Sequence, residues 1–442
     1  MSSPLRGRRP PAAASPWIPF SAPWLLLLAL SGAARAQPSA LEAGAREVSL
    51  AELLAYADEH APAATLAASR QRHAEAARAE AAPRLRYNPT LELGAGPRLV
   101  DGADREGGVE LTLALAQPLE LPGVGVRRRE AAAQLSARLA AEAGAARWQL
   151  RREVTIAFAA AVVARERVAL AVEAERFAQE LLATSRRRQG AGDASALEVG
   201  MAEVEVAQAR QEELAARQEH LGARLHLAAL VGWDPAAPPE VPAGLGVPPV
   251  APPATLPPHP ELRTWRAAVQ EARAQGALAA RAAWPVPVLG LQLAREVEAD
   301  GAVRYQVLGT LGLSLPLWQR GQGERTRARV DEAVAQAEER AAAHGLRARQ
   351  LRARAELETA AARLALFTDG VVPGLEDALA LLRRGFAAGE LPLLEVTVAR
   401  ERFVAARRAS LAAYADYYRA RAELEYALGV ELPAAAAAGR AP

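Results

Sequence analysis

The 442 residues contain no cysteine. Disulfides are therefore excluded, and so is a lipid-modified N-terminal cysteine after processing. Lysine is missing as well: all 53 basic residues are arginines, a choice we read as genomic base composition rather than chemistry. Aromatic residues make up only 5%. Alanine, leucine, glutamate, glutamine and arginine fill their place, and these strong helix formers predict long helices rather than several compact globules. No segment offers the ~18 uninterrupted apolar residues that a membrane-spanning helix needs. A chain of this kind can still cross a membrane in one way, as a closed β-barrel.

The N-terminus reads as a secretory signal over residues 1–36. Arg6, Arg8 and Arg9 form a basic region, Trp24 to Leu30 an apolar stretch, and Ala34-Arg35-Ala36 a small-x-small processing site before Gln37. The competing reading is an uncleaved anchor. Cleavage removes four arginines and no acids, taking the formal charge from +2 to about −2. The basic balance of the whole chain thus gives no pointer to nucleic acid.

What the chain does have is an internal repeat at a spacing of about 198 residues. Ala61-Pro62 returns as His259-Pro260, Gln117-Pro118-Leu119 as Leu315-Pro316-Leu317, and Gly123 as Gly321. Leu197-Glu198-Val199 returns as Leu394-Glu395-Val396, and Ala229-Leu230 as Ala427-Leu428. A repeat in register from end to end means that each copy is one structural unit. The units are expected over 37–232 and 259–432, with a proline-rich linker (ten prolines in 233–258) between them and a disordered tail over 433–442.

Each unit is read as a helix, two strands and a long helical hairpin. Residues 48–85 predict one helix, with Ser49 and Glu52 forming a capping box. Period-two alternation predicts strands over 90–99 and 109–117, and again over 286–296 and 303–315, around Asp/Gly-rich turns. Leu91, Leu93, Val109, Leu111, Leu113 and Leu115 share one parity, and Thr90, Glu92, Glu110 and Thr112 the other. At about ten residues, each strand has the length of a tilted transmembrane strand. Tyr87, Trp284 and Trp318 lie just outside the strands, where an aromatic girdle would sit. A soluble hairpin packed on helices has the same pattern. Four strands cannot close a barrel, so either the sheet is soluble or several chains pool their strands, three chains supplying twelve.

The helical hairpins are expected over 123–231 and 321–430. From Gly123 to Arg188 there is no proline, and a helix of ~65 residues would run close to 100 Å. The second arm should kink at Pro373-Gly374. Fours-and-threes spacing (Val154, Phe158, Ala161, Arg165, Val168, Val172) suggests coiled-coil packing. The fold class is therefore mainly α with a small β part.

The duplicated layout, Asn88-Pro89 entering the first strand, the exit motif Gln117-Pro118-Leu119-Glu120-Leu121-Pro122-Gly123 and the two hairpin turns (Arg187 to Val199, Arg384 to Val396) together resemble the TolC family of outer-membrane efflux proteins. The exit motif with Arg127 to Arg129 is similar to the heavy-metal (CzcC-like) branch. The resemblance covers the whole mature sequence. It implies a homotrimer with a 12-stranded β-barrel in the outer-membrane lipid and a 12-helix α-barrel in the periplasm. It also implies an exit duct for a tripartite pump, served by a periplasmic adaptor and an inner-membrane transporter. From the branch resemblance metal cations come first as cargo, with drugs or secreted proteins behind them.

By the same resemblance the periplasmic gate lies at the second hairpin. Phe386 stands at the family's aromatic position, Leu391 at its arginine position, and Glu395 and Val398 at its two acidic positions. Three of the four depart from the better-known pattern. Glu198 is the equivalent of Glu395 in the first hairpin. The helix-start dipole also accounts for both glutamates. Gly190, Gly192, Leu197, Gly389 and Leu394 mark the tips expected to dock an adaptor, and Glu92, Glu110 and Gln306 are candidate pore lining. Catalysis finds no support. The six histidines are scattered, His220 and His226 lie on different helix faces, and Gly123-x-Gly125 lacks the rest of a phosphate loop. No cofactor or metal site is expected. The alternative is a soluble periplasmic coiled-coil scaffold or adaptor.

Overall fold

The structure, a computed structural model, describes residues 47–98, 108–244, 246, 257–297, 301–368 and 372–432. The expected signal, the tail, much of the linker, the first strand-connecting turn and residues 298–300 of the second lie outside the described residues.

Ser49 opens the first helix, α1 (Leu50–His60), through the anticipated capping box: its N–H donates to Glu52 Oε2 at 2.9 Å, and the Glu52 N–H donates to Ser49 Oγ at 3.3 Å. The chain does not continue as one helix to residue 85. Pro62 follows, and it drives Ala61 to φ −59, ψ 140, because the residue before a proline is pushed out of the helical region. A second helix, α2 (Pro62–Ala81), starts at that proline, whose missing N–H is harmless at a first helical position.

Strands β1 (Thr90–Arg98) and β2 (Gly108–Pro118) follow, then α3 (Val124–Ala191) and α4 (Ala196–Val231). The second unit gives α5 (Pro260–Ala282), β3 (Pro287–Val297), β4 (Val303–Leu313), α6 (Gln322–Leu366), α7 (Val372–Ala387) and α8 (Leu393–Leu428). At 68 residues α3 runs about 100 Å. Its counterpart is broken: α6 stops at Leu366, a π turn follows at Phe367 and Thr368, and α7 begins at Val372. The break thus precedes the predicted kink. Pro373 cannot donate to a carbonyl four residues back and its ring clashes there, so the disruption falls on the turn before it.

The two units close on themselves in the same manner. Gly232 ends α4 with φ +76, and a Cβ there would stand 2.4 Å from the His60 carbonyl oxygen. Gly429 ends α8 with φ +67, where a Cβ would stand 2.6 Å from Pro260 Cδ. Left-handed backbone and close approach both demand glycine at these two helix ends.

The four strands form one antiparallel sheet in the order β1-β2-β3-β4. The apolar core is divided along the helices. One cluster joins α1, α3 and the end of α4 around Leu53, Phe158, Val162 and Leu227. A second joins α6 and α8 around Leu357, Leu364 and Tyr417. A third lies at the hairpin ends. Helix α4 packs chiefly on α3, and α7 chiefly on α8. Between sheet and helices, Arg128 is buried against Glu120 and donates to the Pro83 carbonyl at 2.7 Å. The strand-exit motif therefore locks the start of α3 to the end of α2.

Candidate functional site

The pleat and register decide what each face of the sheet presents. Leu93 pairs with Leu113, Leu113 with Leu293, and Leu293 with Val307. One row further, Leu91, Leu115 and Leu291 line up. These residues share a face, and no helix covers it: Leu93 is 78% exposed and Val307 68%. The opposite face carries Glu92, Gly94, Glu110, Thr112, Gln292, Gln306 and Thr310. Register thus puts Glu92, Glu110 and Gln306 on one face, as expected, although Leu308 joins them there through its pairing with Gln292. Tyr87, Trp284 and Trp318 flank the strands and are exposed. Only β1 and β4 have an unpaired edge in this sheet.

At the far end of the helices, two tight turns reverse the chain. Gly192 caps α3 in the left-handed conformation, and Ser195 caps α4 by accepting the Glu198 N–H at 3.2 Å. In the second turn Gly389 has φ +77, and Glu390 N–H donates to the Gly385 carbonyl at 3.0 Å. Leu391 folds back over Gly385, where a Cβ would stand 2.9 Å from Leu391 Cδ1. The two turns share one core of Phe177, Leu181, Ala202, Phe386, Leu393 and Val396.

A sheet with an uncovered apolar face at one end and paired helical turns at the other is the layout of a recognised family. Residues 55–233 and 252–430 each match the outer membrane efflux protein family. The chain belongs to that family. Among solved structures it is similar to the outer-membrane channel OprN, with 19% identity and a TM-score of 0.69, over 86% of this chain and 89% of that one. VceC of Vibrio cholerae aligns at 20% identity and TM-score 0.68 over 86% and 96% of the two chains. CusC aligns at 17% and 0.69 over 86% and 92%. No curated protein matches the sequence. The family assignment makes the chain an outer-membrane efflux channel protein, not an enzyme. It also removes the soluble-scaffold alternative.

Within this outer-membrane efflux protein the expected gate residues separate. Phe386 is only 2% exposed and fills the tip core. The bulkiest apolar side chain of the turn finds its burial among Phe177, Leu181 and Val396. Leu391 is half-buried beside it. Glu198 is half-buried. Its Oε1 lies 3.6 Å from Arg188 Nη1, and the Arg188 guanidinium lies over the Phe386 ring at 5.5 Å. Glu395 and Val398 are different. Both are exposed on α8, one turn apart, and Glu395 forms no ion pair among the described residues. Of the tip residues, Leu197 is 74% exposed and Leu394 61%, while Gly190, Gly192 and Gly389 are open to solvent.

Sequence reasoning missed the ion pairs that tie the hairpins together. Arg400 Nη2 lies 2.7 Å from Glu205 Oε2, and Arg408 Nη2 lies 2.7 Å from Glu212 Oε2. A signal was present: Arg400 falls on the α8 stripe of Leu393, Val396 and Thr397, where only apolar or small residues are expected. Further along α3, the Glu175 carboxyl is pushed up, first by a hydrogen bond shared with Glu213 and then by desolvation and that neighbour's charge. Among the described residues no three His, Asp or Glu side chains gather as a metal cluster.

Proposed function

We propose that three copies of this chain form the exit duct of a multi-part efflux pump, a passive passage from periplasm to exterior. The observation that carries this reading is the open four-stranded sheet with its uncovered apolar face and two unpaired edges. Lipid-exposed strands need every backbone group paired, which only a closed barrel provides. Four strands are too few, and three sheets joined edge to edge make twelve. A second feature supports the same count. Helix α4 carries an exposed stripe of Leu197, Met201, Val204, Leu214, Leu221 and Leu225, a face suited to the neighbouring copy in a helical barrel.

Glu92, Glu110 and Gln306 then line the pore and the leucine rows meet outer-membrane lipid. The tips Leu197 and Leu394, with Gly190, Gly192 and Gly389, dock a periplasmic adaptor that links the duct to an inner-membrane pump. The gate is a three-fold ring of Glu395, set off by Val398. A narrow ring of carboxylates concentrates cations by focusing the field. Metal cations are the preferred cargo, on the strength of the exit motif and of the acidic ring.

The mass of the detergent-extracted mature protein, measured by light scattering with the detergent subtracted, tests the reading. A three-chain particle from the outer-membrane fraction is expected. A monomer or dimer would sink the pooled barrel. Restored metal tolerance in cells stripped of their own efflux ducts, together with the chain's native pump and adaptor, would test the cargo.

A further inference from the structure

Among the described residues the uncovered apolar face of the sheet carries one charge, Arg295. In the register Arg295 pairs with Leu111 on one side and with Tyr305 on the other, so it shares the face of Leu93, Leu113, Leu293 and Val307. The other residues of that parity in 91–97, 109–115, 287–297 and 303–313 are aliphatic, proline or glycine, Tyr305 excepted. No acid stands on this face: Glu110 and Glu296, next to Leu111 and Arg295 in the chain, fall on the opposite one. Arg295 is exposed, and its guanidinium makes no ion pair or hydrogen bond among the described residues. Tyr305 beside it is 75% exposed.

The depth of this pair is informative. The helices join the sheet at the end marked by Thr90, Pro118, Pro287 and Leu313, and the other end is Arg98, Gly108, Val297 and Val303. Arg295 lies one row in from that far end. In tilted strands successive rows stand about 5 Å apart along the membrane normal. In the duct reading, on which this inference rests, the helices are periplasmic and the far end meets the outer leaflet. From one row in, the apolar stem of Arg295 stays beside the acyl chains while its guanidinium reaches headgroup level. The planar fork of arginine matches phosphate oxygens two at a time. The cross-strand neighbour, with its Cβ about 5 Å away, brings a phenolic O–H that donates to the same group. Beneath the two donors run only the leucine and valine rows. Donors above and hydrocarbon below fit a whole lipid, headgroup and acyl chains together, rather than free phosphate. We propose that Arg295 and Tyr305 form a site for the phosphate of an outer-leaflet glycolipid, one site on each chain.

Native mass spectrometry of the detergent-extracted protein, with purified bisphosphorylated lipid A added, gives the test. The wild type is expected to carry bound lipid A, and Arg295→Leu to carry at least about fivefold less at the same concentration. Lipid A stripped of its phosphates should bind the wild type no better than the intact lipid binds the variant. Inorganic phosphate at equal concentration should not displace the lipid. Arg304→Leu removes the same charge from the opposite face and should retain the lipid. Equal binding by wild type and Arg295→Leu, equal binding of the stripped lipid, or an equal loss in Arg304→Leu would each overturn the proposal. The two readings fail separately. Leucine suits the apolar face, so Arg295→Leu should assemble in the outer membrane as the wild type does. A wild-type oligomer there without phosphate-dependent binding refutes the lipid site and leaves the duct. A wild type that forms no membrane oligomer refutes the duct and takes the site with it.

Discussion

Arg188 on α3 lies over the ring of Phe386 on α7 at 5.5 Å while its Nη1 faces Glu198 Oε1 at 3.6 Å, so one side chain joins both helical turns of the tip. The arrangement makes Arg188 a residue that holds the second turn against the first. A cation–π contact of this kind contributes about 0.5–2 kcal/mol, and an ion pair near the surface about 0–1 kcal/mol. Arg188→Gln should therefore leave the fold intact and release the tip. In planar bilayers the variant is expected to show higher or more frequent conductance than the wild type. Unchanged conductance would mean that the contact plays no part in closure. Phe386→Ala should go further, since emptying a buried aromatic site costs about 3–5 kcal/mol.

Glu395 is a charged candidate for the gate, exposed and without an ion pair among the described residues. If three copies ring the opening, Glu395→Gln removes three charges at once. Cation over anion selectivity, measured from the reversal potential in a salt gradient, should fall, and block by added divalent cations should weaken. Val398→Ala, one turn along the same face, should leave selectivity alone. Equal selectivity in wild type and Glu395→Gln would place the constriction elsewhere.

The architecture was legible because two periodicities are strong and the repeat prints each of them twice. The strand parities emerge in the register residue for residue, Leu93 beside Leu113 and Leu293. The helix interruption was legible only roughly, because a proline shows where a helix cannot continue but not on which preceding turn the break falls. The single expected helix over 48–85 failed for the same reason, at Pro62. The tip was least legible. Resemblance supplied positions for a gate, while the contact of Arg188 with Phe386 and Glu198 joins residues far apart in the chain with no local pattern to announce it. Arg400 was different: its place in an apolar stripe is visible in the sequence once Glu205 is known to await it.

The two faces of the sheet predict opposite tolerances. Leu113 sits at the middle of β2 among Leu93 and Leu293, and arginine at mid-bilayer on a lipid face costs about 2–4 kcal/mol. Leu113→Arg should reduce the amount of heat-resistant oligomer in the outer-membrane fraction. Gln306→Arg lies on the opposite face and should insert normally while shifting conductance. Equal assembly of the two variants would mean that the apolar rows do not meet lipid.

Glu425 makes the stability of the helical part depend on pH. Its carboxylate accepts from Arg421 Nε at 3.1 Å and from the Leu432 N–H at 3.2 Å. Burial pushes its titration above the ordinary 4.5 even so, with the Arg421 charge opposing the shift. A raised value means that the folded chain binds the proton more tightly than the unfolded chain. The associated stability is fully present below 4.5 and is lost as pH rises through the folded-state value. Glu425→Gln removes the ionisation while keeping an oxygen acceptor for Arg421 and Leu432. The midpoint of the variant minus that of the wild type should therefore be more positive at about pH 8 than at about pH 4. Thermal unfolding of both proteins across that range, in one detergent and at fixed salt, measures the difference directly. A constant offset at every pH would show that Arg421 compensates the burial of the carboxylate in full.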